Sequence, residues 1–141
     1  MNTQLVRNWM TSDVITITPQ TTLPNVRQLM LDHHLHHLPV VNKDKLVGVV
    51  TWHDIHRAEA WDGVDFGGYE LSSVLDQFAT KEFMSYKPIT ISPDATIEEA
   101  ARLILEHKIS GLPVVEDDKL VGIITETDFC RLLIVQAENA A

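Results

Sequence analysis

The sequence predicts an α+β protein built from two copies of a β-α-β-β-α unit, and three observations carry that reading. First, Leu38-Pro39-Val40-Val41, Gly48, Thr51 and Asp54 return as Leu112-Pro113-Val114-Val115, Gly122, Thr125 and Asp128 at a constant offset of 74 residues. About 20 of about 45 aligned positions from Met10 and Met84 onward are identical without a gap, and a fixed period of this kind marks a repeated structural unit. Second, each copy carries two short β-branched runs separated by polar turn residues, the pattern of a buried hairpin. Third, an apolar stripe of helical period precedes each hairpin and a hydroxyl-acid pair follows it.

Taken in order, Leu5 to Met10 reads as a lead-in helix. Thr80 to Met84 matches it, with an aromatic followed by Met in each, a pair suited to lidding a core. Val14-Ile15-Thr16-Ile17 and Pro88-Ile89-Thr90-Ile91 read as short strands stopped by Thr18-Pro19 and Ser92-Pro93. In the second copy Thr96-x-x-Glu99 forms a capping box before Ile97, Ala100, Ala101, Ile104 and Leu105. The first copy keeps the stripe as Leu23, Val26, Met30 and Leu31, with Pro24 tolerated in the first turn. Both helices are expected to end near His33-His34 or His107-Lys108, side chains that suit a helix C-terminus.

The hairpins follow, turning at Asp44-Lys45 and Asp118-Lys119. Gly48 and Gly122 fall inside the returning strands, where a missing side chain marks a bulge or a close approach. Thr51-x-x-Asp54 and Thr125-x-x-Asp128 then open a helix as relatives of the capping box. The first of these helices runs to Trp61, a glycine-rich loop spans Asp62 to Gly68, and a further amphipathic helix covers Leu71 to Phe78. Phe129, Leu132, Leu133 and Val135 make the last helix strongly apolar, pointing to a homodimer through the terminal helices, and the tail from Ala137 is expected to fray. The expected boundaries are a lead-in helix at 1–9, repeat one at 10–61, a connector with a short helix at 62–79 and repeat two at 80–135. A unit of roughly 50–60 residues buries little surface alone, so the copies are expected to share one core across a pseudo-twofold axis.

Composition narrows the function. The 141 residues are 45% hydrophobic and 22% charged, ordinary for a soluble globular protein. A net charge of −9 and a pI near 5.1 argue against nucleic acid, because phosphate-tracking surfaces need clustered Lys and Arg. No stretch approaches the ~20 apolar residues of a membrane span. The single Cys130, read as a small core residue, forms no internal disulfide, so a reducing, cytoplasmic setting is expected.

Strand, helix, Leu-Pro-Val-Val hairpin, glycine-bearing strand and Thr-x-x-Asp helix, twice over, resemble the cystathionine β-synthase (CBS) domain pair from about Met10 to about Leu133. The resemblance implies a regulatory module with no room for a catalytic domain. It implies adenosyl ligands, AMP, ADP, ATP or S-adenosylmethionine, held in clefts between the repeats, and an energy-sensing role with an unknown regulated protein as partner. One cleft would combine Thr125, Thr127 and Asp128 with Val14, Leu35, His36 and His37; the other would combine Thr51, His53 and Asp54 with Pro88, Ile89, Ile109, Ser110 and Gly111. In each, the acid accepts the ribose hydroxyls while the Thr and the helix start face the phosphates, chemistry that suits a carboxylate and free N–H groups. By the same resemblance, His36 and His37 stand where one other member of the family carries basic phosphate-binding residues, whereas Ser110-Gly111 is typical of many members. The same Thr and Asp residues also serve as helix caps, which does not exclude ligand contact.

The residues also admit three other readings. A ligand-free interaction module would use Trp52 and Trp61. A metal site could use the run His33-His34-Leu35-His36-His37 with His53 and His56, although adjacent rings in a run that crosses from helix to loop point apart and no spaced cysteine completes a set. Catalysis is the weakest reading: no nucleophile turn or paired-carboxylate motif stands out, so neither a catalytic residue nor a required cofactor is expected.

Overall fold

The structure is a computed structural model that describes residues 4–59 and 77–140. In chain order its elements are α1 (Val6–Trp9), α2 (Leu23–His33), β1 (His37–Asn42), β2 (Lys45–Thr51), α3 (Trp52–Glu59), a 3-10 turn at Thr80–Glu82, β3 (Ser85–Tyr86), α4 (Ile97–His107), β4 (Gly111–Glu116), β5 (Lys119–Thr125) and α5 (Glu126–Ala140). The α+β class is therefore as read. The glycine-rich loop, Trp61 and most of the helix expected at Leu71 to Phe78 lie outside the described residues.

The chain divides into two compact units that do not follow the repeat boundaries. One runs from Ile15 to Pro88; the other joins the segment up to Val14 to everything from Ile89 onward. Each lead-in is thus exchanged onto the other copy. In the second unit the backbone N–H groups of Val6 and Arg7 donate to the carbonyls of Ala95 and Pro93 at 2.8 and 2.9 Å, and Ile97 donates to Gln4 at 2.9 Å. In the first, Leu23 donates to Phe78 at 2.9 Å and Thr80 to Thr21 at 2.8 Å. The Thr80 hydroxyl, fully buried, donates to the same Thr21 carbonyl at 2.7 Å.

Each unit has its own apolar cluster. Leu23, Val26 and Met30 of α2 meet Leu38, Val40 and Val50 of the hairpin and Met84 of the exchanged segment. Ala100 and Ile104 of α4 meet Leu112, Val114, Ile124 and Val6, with Trp9 and Met10 half-buried against them. The expected aromatic-Met lids are present, and the exchange supplies the surface a bare repeat would lack. Leu31 and Leu105, read into the apolar stripes, are instead exposed. The buried face centres on Val26/Met30 and Ala100/Ile104, and the position one residue further falls outside it.

The first strand of each copy is a single parallel bridge, Ile17 to Val40 and Ile91 to Val114. Ile17 donates to the Pro39 carbonyl at 3.1 Å and accepts from Val41 at 2.8 Å. The next ladder bonds would need an N–H from Pro39 on one side and from Pro19 on the other, and proline has none. Pro113 and Pro93 block the second copy in the same way.

Hairpins β1-β2 and β4-β5 turn on Lys43-Asp44 and Asp117-Asp118, each residue at positive φ, one residue before the expected site. Paired positive φ is the type I′ geometry whose twist matches the strands. A register shift follows at Val40/Val41 and Val114/Val115, opposite Gly48 and Gly122. The glycines also admit a neighbouring backbone: a Cβ on Gly48 would stand 2.7 Å from the Ser85 carbonyl oxygen, and one on Gly122 would stand 2.9 Å from that of Thr11 and 2.6 Å from Met10 Sδ. Both expectations for these glycines hold.

Helices α2 and α4 end as expected, with His34 and Lys108 as left-handed caps at φ 54°. Thr96 and Glu99 complete their capping box, with bonds of 3.0 and 2.9 Å. Two readings of the last helix are corrected. Cys130 is exposed, because it lies on the side of α5 away from buried Asp128 and Leu132. The segment from Ala137 to Ala140 is helical, as its Ala-rich composition permits.

Candidate functional site

The hairpin of each unit delivers its last residue, Thr51 or Thr125, to the start of a helix, where the acid three residues on folds back over it. Asp54 Oδ2 accepts the Thr51 N–H at 2.8 Å and the Thr51 hydroxyl at 3.1 Å, and the Asp54 N–H donates to Thr51 Oγ1 at 3.2 Å. Asp128 Oδ2 accepts the Thr125 N–H at 2.9 Å and lies 3.5 Å from its hydroxyl. Both acids are 4% exposed. The local reason is capping of helix-start N–H groups that have no intrahelical acceptor, reciprocal at Thr51 and Asp54.

One arginine absent from the sequence reading completes each corner. Arg57 and Arg131 donate to Oδ1 of Asp54 and Asp128, the latter at 2.9 Å. The motif is thus Thr-x-x-Asp-x-x-Arg, and the constant offset that exposed the threonine and acid also relates the two arginines. In the second unit the Thr11 hydroxyl lies 3.5 Å from Asp128 Oδ1, and Arg131 also donates to the Trp9 carbonyl at 3.0 Å. That acid therefore has both oxygens engaged from several sides.

The residues before Leu-Pro flank the Thr-x-x-Asp corner of their own copy. The Trp52 N–H donates to the His36 carbonyl at 3.0 Å, and His37 is the strand partner of Thr51. Likewise Glu126 donates to the Ser110 carbonyl at 3.0 Å, and Gly111 partners Thr125. Leu35 and Ile109 lie half-buried against the two cores. Pro88 belongs to the unit of Asp54, whereas Val14 and Ile89 belong to that of Asp128. His53 and Thr127 are exposed on the first turns of their helices.

The corners differ in their titratable groups. His37 has its pKa pushed below the ordinary 6.5, first by burial, then by neighbouring His36, with Asp54 opposing both. Its counterpart Gly111 carries no such group. Trp52 is half-buried and meets His56 edge to face at 5.1 Å. Among the described residues no group of three or more His, Cys, Asp or Glu is placed to hold a metal, and no helix is long and apolar enough to cross a membrane.

A family model described as the CBS domain matches residues 6–60 and again 80–135. An inosine-5'-monophosphate dehydrogenase of Korarchaeum cryptofilum is 37% identical over 117 residues, which make up 82% of this chain and 21% of that one. The chain spans only about a fifth to a third of the length of such curated relatives. The CBS domain-containing protein YhcV of Bacillus subtilis is 31% identical over 87% of this chain and 81% of its own. The CBS domain pair of protein MJ0100, solved with 5'-methylthioadenosine and S-adenosyl-L-methionine, superposes with a TM-score of 0.81 at 28% identity, covering 96% of this chain and 99% of that one. CBSX2 of Arabidopsis thaliana, solved with AMP, gives 0.79 at 27% identity over 95% and 98%.

Proposed function

This chain belongs to the CBS domain family, as a tandem pair, and from that premise we propose that it is a non-catalytic sensor of adenosyl ligands. The observation that carries the proposal is the repeated corner, in which a buried carboxylate sits at a helix start beside exposed polar residues. A carboxylate accepts two hydroxyl donors at once, and a helix start favours an anion. Support comes from two relatives of similar length solved with AMP and with S-adenosylmethionine and methylthioadenosine. Thr51, His53 and Asp54 would serve one ligand and Thr125, Thr127 and Asp128 another, with His36-His37 and Ser110-Gly111 differing in phosphate preference. A partner protein would read the bound state by differential affinity for it.

Thermal-shift titration with AMP, ADP, ATP, NAD and S-adenosylmethionine tests this reading. At least one should stabilise the protein in a concentration-dependent way, by about 2.7 kcal/mol at a hundredfold excess over Kd. No response to all five would leave an interaction module in its place. We also propose a homodimer, supported by Leu133 and Ile134, which are 63% and 59% exposed on the last helix. Sedimentation at micromolar concentration should give a dimer mass, and Leu133→Glu should shift it to monomer; a monomeric wild type would contradict the pairing.

A further inference from the structure

The two arginines do something that a cap does not require. At each corner the cap uses Oδ2, and the guanidinium takes Oδ1. The two oxygens are engaged on very different terms. Oδ2 is bound by the backbone N–H of the helix start, which the fold holds in place, whereas Arg57 and Arg131 are 61% and 54% exposed and end in water. An ion pair with one long, solvated partner is weak, screened by salt and quickly broken.

We propose that Arg57 and Arg131 set the affinity of their corners by occupying the acceptor that a vicinal diol must take. The proposal rests on the adenosyl reading above. In the free protein the guanidinium is the resident donor on Oδ1; as a ribose binds, its hydroxyls replace the arginine, which swings into solvent. The paired state competes with the ligand, so apparent affinity falls by the fraction of molecules in which the pair is closed. The two latches are unequal. Arg131 is also held by the Trp9 carbonyl, and Thr11 adds a hydroxyl at Asp128 Oδ1. Among the described residues Arg57 has Asp54 alone. The Asp54 corner therefore opens more readily and fills first.

Adenosine is the probe, because it carries the diol without a phosphate. Calorimetry on the full chain should show adenosine binding about threefold more tightly to Arg57→Met than to wild type, and Arg131→Met should shift the second corner in the same direction. Wild-type affinity for adenosine should rise as salt increases from about 0.05 to about 0.5 M, an effect absent from the double variant, since screening opens the pair. The wild-type salt series needs no substitution and decides the matter if a variant folds poorly. Weaker adenosine binding in the variants, or a salt-insensitive wild type, overturns the exchange. So does a loss of AMP binding with adenosine unchanged, which would make the arginines phosphate ligands. A wild type that binds neither AMP nor adenosine removes the adenosyl reading and the exchange together, whereas wild-type binding that the variants leave unaltered removes the exchange alone.

Discussion

Asp54→Ala and Asp128→Ala should each destabilise the protein by about 2 kcal/mol, measured by urea unfolding. Each buried carboxylate satisfies the first N–H of its corner and the threonine hydroxyl, and neutralises an arginine. Alanine leaves those donors facing a hole. Asparagine separates the cap from the charge, because its amide oxygen can still accept from the threonine N–H while its NH2 group replaces the Oδ1 acceptor. Asp→Asn should therefore keep most of the stability. Equal losses for alanine and asparagine would show that the charge, and not the cap, holds the corner together.

Gly122→Ala should cost about 3 kcal/mol, near the upper end for overpacking. Its Cβ would stand 2.6 Å from Met10 Sδ and 2.9 Å from the Thr11 carbonyl oxygen. The methionine can turn aside. The carbonyl cannot, because Thr11 and Ile123 exchange backbone hydrogen bonds of 2.8 and 2.9 Å beside it. The exchanged lead-in must then lift from β5, exposing Val6 and the second core. Gly48→Ala should behave similarly through the Ser85 carbonyl at 2.7 Å. A loss below about 0.5 kcal/mol at both positions would mean that the lead-in segments are not seated on these strands.

Much of this architecture is legible because the chain states it twice. The hairpins, their glycines, the helix ends near His34 and Lys108 and the Thr-Asp corners each follow from local chemistry that the period repeats. What escaped has physical causes. The period equates Met10 with Met84 but says nothing of which core each one lids, since both copies offer the same glycine-cleared strand. The expected first strands shrink to single bridges because in each copy one proline stands on the bridging segment, Pro19 or Pro93, and one on its partner strand, Pro39 or Pro113. Arg57 and Arg131 were visible at the right offset, yet an exposed arginine on a helix resembles any solvated side chain until its partner is seen to be buried.

Calorimetric titration of AMP into the wild type, Asp54→Asn, Asp128→Asn and the double variant addresses the central claim most directly. The account predicts binding at two corners in the wild type, loss of one in each single variant and loss of both in the double variant, with all four proteins folded. Undiminished AMP binding by a folded double variant would contradict it.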